Sequence, residues 1–177
     1  MFEIFPWLLF LHVLAAIIAF GPTFAFSIMG AMGGREPQHA NFATRVSDRI
    51  GDILVEPFAI SMGVTGALMI WSAGIPLFDR STRWLLLAIV LYLTALGLAL
   101  FVSRPNVKRI IALSGGAGGA TAGPPAAPPA GPPAGPPAGP PPEMLRAIGT
   151  VQRVGMILLV LLVVIVFLMT VKPDFGF

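Results

Sequence analysis

Side chains able to hold a metal, move a proton or form a covalent bond are scarce in this 177-residue chain. It has two histidines, eight methionines, one tyrosine and no cysteine. The lack of cysteine excludes disulfide scaffolds and thiolate metal sites. The sequence contains no phosphate-binding loop, paired catalytic carboxylates, Ser-His-Asp set or HExxH motif. His39 follows Pro37 in a polar stretch and reads as a solvated loop residue. His12 is different, because it lies about two turns inside a long apolar run, where a polar group is costly and turns toward a protein interior. Ala15, Ala16, Ala19 and Thr23 share its helical face, a small-residue stripe that lets another helix come close.

Two roles for His12 follow. Neutral imidazole suits heme iron and copper, so His12 is the candidate cofactor and metal ligand. A bis-histidine heme would need a second histidine within an apolar run, and the sequence has none, which leaves methionine as the partner type. Counting inward from the outer ends puts Met69 and Met169 near the height of His12, with Met62 and Met156 deeper or on the inner side. Methionine at such spacing also serves as plain apolar filler. The alternative role is structural, a hydrogen bond across helices, for example to Tyr92 or Thr94.

The elements that must position these residues are set by composition. Hydrophobic residues make up 56% of the chain and charged residues 11%. Soluble domains carry about 25% charged residues, so a soluble enzyme is excluded and an integral membrane protein is expected. Outside the stretch that runs into the Pro/Gly/Ala block, four long runs lack Asp, Glu, Lys and Arg: residues 4–34, 57–78, 84–103 and 154–171, which are 31, 22, 20 and 18 long. A hydrocarbon core of ~30 Å needs about 20 helical residues, so each run can span it, the last by snorkelling of its flanks. The fold class is therefore all-α, a bundle of four transmembrane helices. The Gly21-Pro22 pair predicts a kink or a break near the inner end of the first helix. The N-terminal Met-Phe-Glu lacks the positive region of a secretory signal, so the first run is expected to stay as a span.

Lysine and arginine then predict orientation. The loops after the first and third spans carry eight of them and the other side has three, Arg80, Arg83 and Lys172. The positive-inside rule places both of those loops in the cytoplasm and both termini outside. Trp7, Trp71 and Trp84 then all fall at outer helix ends, as an interfacial aromatic belt requires. The net charge of +3 thus reflects topology and gives no nucleic-acid footprint.

Three further segments stand out. In the first cytoplasmic loop, at about residues 37–55, Phe42, Val46, Ile50, Ile53 and Leu54 recur at helical spacing. They predict an amphipathic helix, either lying along the inner leaflet or extending the second span. Glu56, at the inner edge, is expected to pair with Arg49 or Arg153 or to be hydrated. In the second span Ala59, Gly63 and Ala67 form a small-residue packing stripe, with Thr65 and Gly66 nearby. Residues 114–142 hold 11 prolines, eight glycines and eight alanines around an Ala-Gly-Pro-Pro repeat. That period of four fails the collagen rule, and the block reads as an extended or disordered spacer of up to ~90 Å. It divides the chain into residues 1–113, with three spans, and residues 143–177, with the fourth.

Three motifs carry a family resemblance. They are the run Leu11-His12-Val13-Leu14-Ala15-Ala16 leading to Gly21-Pro22, then Arg49-Ile50 with Pro57 eight residues after the arginine, and the closing Val171-Lys172-Pro173. Together they resemble bacterial four-helix membrane proteins related to copper-resistance protein D and HemJ-type protoporphyrinogen oxidase, and within that group an uncharacterised integral membrane family. The resemblance implies a multi-pass protein of the bacterial cytoplasmic membrane with heme bound at His12. HemJ-type enzymes carry a lysine early in the third span, whereas residues 84–89 here contain no ionisable group, which argues against their oxidase activity. Three functions are thereby raised: a heme- or metal-binding protein in a redox or electron-transfer setting, an accessory subunit of a larger respiratory or photosynthetic complex or a homo-oligomer, and a copper transporter.

Overall fold

A computed structural model of the chain describes residues 4–118 and 140–173. Its helices are α1 (Ile4–Arg35), α2 (Pro37–Ile50), α3 (Glu56–Ala73), α4 (Arg83–Gly97), α5 (Arg104–Gly118) and α6 (Pro142–Val171). A π-helical turn, Gly51–Val55, joins α2 to α3, and another, Leu98–Ser103, joins α4 to α5. The result is four helices long and apolar enough to cross a membrane: α1, the α2–α3 unit, the α4–α5 unit and α6. Among the described residues there is no strand.

Both π turns have a local cause. A helical proline has no N–H to give, and its ring crowds the carbonyl four residues earlier. For Pro57 that carbonyl belongs to Ile53, inside the first π turn, and for Pro105 it belongs to Phe101, inside the second. The wider turn relieves both clashes and lets each helix continue. Pro22 lies inside α1, which is helical from Ile4 to Arg35, so of the expected kink or break there is no break. Gly74 ends α3 in the left-handed region at φ 62°, and its N–H and that of Ile75 cap the last carbonyls.

The α2 segment does not form a separate helix on the leaflet; it prolongs the second span. At 1.5 Å per residue the 36 residues from Gln38 to Ala73 reach ~54 Å, well beyond the ~30 Å hydrocarbon core. α5 and the first turns of α6 project on the same side, and α2 packs on α5, which packs on α6. There the Asn41 amide donates to the Ser114 hydroxyl at 2.6 Å. α5 continues to Gly118, so the first residues of the Pro/Gly/Ala block are helical; residues 119–139 of that block lie outside the described residues.

Within the membrane-length part, α1 lies along α3, and the α4–α5 unit lies along α6. Small residues make the approach possible: Ala15, Ala19, Ala59 and Ala88 are buried, together with Met62, Leu85, Leu162 and Ile165. Large apolar side chains such as Phe10, Ile17, Phe24, Val163 and Phe167 face outward, the inversion expected of a surface meeting lipid. Ala67, expected in the packing stripe, is exposed; the inward face of α3 instead runs through Ala59, Met62, Thr65 and Gly66.

Tyr92 joins the two pairs. Its hydroxyl donates to the Ala59 carbonyl at 2.7 Å, and its ring sits where a Cβ on Gly63 would come within 2.6 Å of the phenolic oxygen. Gly63→Val should therefore overpack this contact and destabilise the protein by about 1–3 kcal/mol. Thermal unfolding in detergent should show that loss, and most of it should vanish when Tyr92→Leu is added. An equal loss in both backgrounds would disprove the contact.

Candidate functional site

The first span presents its histidine to the second span, not to the third. The Nδ1 of His12 lies 2.9 Å from the Met62 carbonyl and 3.1 Å from the Thr65 hydroxyl. A carbonyl oxygen can only accept, so Nδ1 carries the proton. The Thr65 hydroxyl is directed to its own helix, at 2.9 Å from the Ser61 carbonyl, and so is also an acceptor for the imidazole. The ring comes this close because residue 66 is glycine: a Cβ there would stand 3.1 Å from His12 Cε1. Of the expected partners, Tyr92 bonds to Ala59 and Thr94 bonds to the Val90 carbonyl of its own helix.

With the proton on Nδ1, Nε2 of the neutral ring keeps its lone pair. Among the described residues Nε2 has no hydrogen-bond partner, while every sealed side-chain nitrogen or oxygen has one. Nε2 is therefore open to the surface of the bundle. His12 itself is half-buried.

The methionines stand differently from the sequence expectation. Met62 is buried and supplies the carbonyl at the level of the imidazole. Met69 lies seven residues further along α3, ~10 Å by helical rise, and is half-buried. Met169 is 36% exposed on α6. The level of His12 is shared by other landmarks: Trp7 is five residues before it, and Trp71 is five residues beyond Gly66, so the two indoles lie near one height. Trp7 and Trp71 are exposed, and Trp84 is covered by the Lys172 ammonium, 5.7 Å above its ring.

At the opposite membrane edge a second polar group forms beside the two π turns. Arg104 reaches Asp52 at 3.0 Å and Glu56 at 2.8 Å. Glu56 thus pairs across to the third span and not with Arg49 or Arg153. The signal was present in the sequence as Asp52 and Glu56 one turn apart, opposite a single arginine that follows an apolar run. Among the described residues no group of three or more His, Asp or Glu side chains could hold a metal ion.

Residues 6–126 match a family described as "Predicted integral membrane protein (DUF2269)". The chain belongs to this family. The match covers His12, both π turns and the Arg104 ion pairs of this DUF2269 protein, and it ends before α6. No curated protein and no solved structure matches the chain, so the relation to copper-resistance protein D and to HemJ-type oxidase has no support from these comparisons.

Removing the Arg104 charge leaves two carboxylates facing each other at the membrane edge. In this DUF2269 protein Arg104→Gln should cost about 1 kcal/mol, read as a lower unfolding temperature. In an Asp52→Asn/Glu56→Gln background the same change should cost much less, since nothing is left to pair. Losses that do not depend on background would disprove the coupling.

Proposed function

We propose that this integral membrane protein binds heme through His12 Nε2 in a redox or electron-transfer setting. The observation that carries the reading is the division of labour on the imidazole ring. A backbone carbonyl holds the Nδ1 proton, which sets the tautomer and ring orientation, and leaves a bare Nε2 at the bundle surface. An unsatisfied lone pair at membrane depth is costly, and coordination would satisfy it.

The donor set favours heme over a bare ion. A copper or zinc site built by protein alone needs several ligands in reach, and among the described residues no such His/Asp/Glu cluster exists. A porphyrin brings four nitrogens of its own and would ask the protein for few further ligands. His12 would be such a ligand, with Met62, Thr65 and Gly66 fixing its ring. Heme supplies one-electron chemistry when bound. The chain's part is to orient the imidazole and to keep its Nδ1–H donating to the Met62 carbonyl.

The detergent-purified protein, supplied with heme, should show a Soret band that His12→Ala abolishes. Gly66→Leu, which displaces the imidazole without deleting it, should shift or weaken the band. A folded preparation that retains no heme once the unbound excess is removed would overturn the proposal.

The same reading sets the protein in a bacterial cytoplasmic membrane with both termini outside, supported by eight basic residues against three on the two sides. The cysteine-free sequence permits a direct test. Ser81→Cys should react with a membrane-impermeant maleimide on intact spheroplasts, and Gln38→Cys only after lysis. The reverse pattern would invert the orientation.

A further inference from the structure

A cleft of about 160 Å³ opens between α5 and α6, lined by Asn106, Arg109, Glu143, Arg146, Ala147 and Thr150. It lies on the side from which α2 and α5 project, away from His12, and serves neither the imidazole nor the Arg104 pairs. Three properties point to an anion. Two arginines line the cleft, and a guanidinium offers a planar fork of donors that matches phosphate oxygens. The floor is Ala147, only 3% exposed, whose small side chain leaves the space open. The internal charge balance is also incomplete. Arg109 pairs with Glu143 at 2.8 Å, but both side chains are more than half exposed, so the pair is weak and exchangeable. Among the described residues Arg146 has no carboxylate partner.

Depth narrows the ligand. Asn106 is three residues past the apolar run that ends at residue 103, and Thr150 is four before the run that begins at residue 154. Both therefore stand ~5–6 Å outside the hydrocarbon edge by helical rise. The headgroup layer extends ~5–8 Å beyond that edge on each side. By the same rise Arg109 stands ~9 Å and Arg146 ~12 Å outside that edge, and their long stems let the charged ends reach the outer margin of the headgroup layer.

We propose that the α5–α6 cleft is a phosphate-binding site, with Arg109 and Arg146 as its charge partners and the phosphate of an anionic lipid headgroup as its ligand. Glu143 competes with the ligand for Arg109. The site thereby ties the fourth span to the leaflet at the point where the Pro/Gly/Ala block re-enters the bundle.

The test uses the full-length protein in phosphatidylcholine vesicles doped with spin-labelled phosphatidylglycerol or, separately, spin-labelled phosphatidylcholine. Wild type should prefer the phosphatidylglycerol probe by about fivefold or more, the worth of one well-placed arginine. Arg109→Gln/Arg146→Gln should abolish the preference, and Glu143→Gln should raise it. Arg45→Gln/Arg49→Gln removes two exposed charges elsewhere on the same side and should leave it unchanged. In a parallel arm, inorganic phosphate is titrated against thermal unfolding in detergent. Stabilisation by phosphate that needs both arginines, without a lipid preference, would retain the site and assign it to free phosphate. Neither effect in wild type would overturn the proposal, and so would an equal loss in Arg45→Gln/Arg49→Gln.

Discussion

In a bilayer the imidazole N–H of His12 has no water to turn to, and its only way of being satisfied is an acceptor on a neighbouring helix. The Met62 carbonyl is that acceptor, and the rest of the first hairpin is arranged around reaching it. A helix carbonyl is usually screened by side chains, so the approach needs a gap, and Gly66 provides it. The approach also needs a lean face on α1, and Ala15 and Ala19 are buried there. Once the ring meets residues 62–66, the sliding register of the two helices is set. Trp7 and Trp71 then fall at one level, where amphipathic indoles are favoured. The same bond commits the imidazole proton to Nδ1, which is why the chemistry proposed for the site belongs to Nε2.

Besides the Asn41–Ser114 bond beyond the membrane edge, the second half of the bundle is tied to the first by two polar contacts at different heights. Tyr92 crosses to the Ala59 carbonyl over Gly63, repeating the device of a ring admitted by a glycine to a helix carbonyl. Nearer the membrane edge Arg104 spans Asp52 and Glu56. Prolines 57 and 105 widen their helices into π turns beside these residues, so the ion pairs sit where the backbone is already irregular. Interior contacts elsewhere are mostly between small and aliphatic side chains, which lipid tails could match in apolarity. The polar contacts therefore carry much of the specificity of helix pairing.

Much of this is legible in the amino-acid sequence. The four spans followed from runs without charge, and the inward face of α1 from the alanines spaced with His12. Other readings missed because they depend on how one helix is rotated and shifted against another. Tyr92 and Thr94 were reasonable partners for a buried histidine, yet residues of the second span stand beside it. Glu56 is expected from the sequence to pair with Arg49 or Arg153 or to be hydrated, and only the placement of the third span beside it selects Arg104. Met69 looked level with His12 by counting from the outer ends. The hydrogen bond sets that level seven residues earlier, at Met62. The amphipathic pattern of α2 fitted a helix on the leaflet or an extension of the second span equally well, since both bury one face. Its packing on α5 decides for the extension.

What the sequence by itself determined is therefore the membrane class, the four helical spans and the residues too polar to face lipid. These follow from hydropathy and charge, which are local quantities that add along a chain. The tertiary structure alone decided which carbonyl accepts the histidine N–H, which arginine pairs with the two carboxylates and which cleft Arg109 and Arg146 line together. Those outcomes turn on rotations and shifts between helices of a few ångströms. A linear pattern constrains such movements only to a face, because residues three and four apart share that face and offer nearly the same surface.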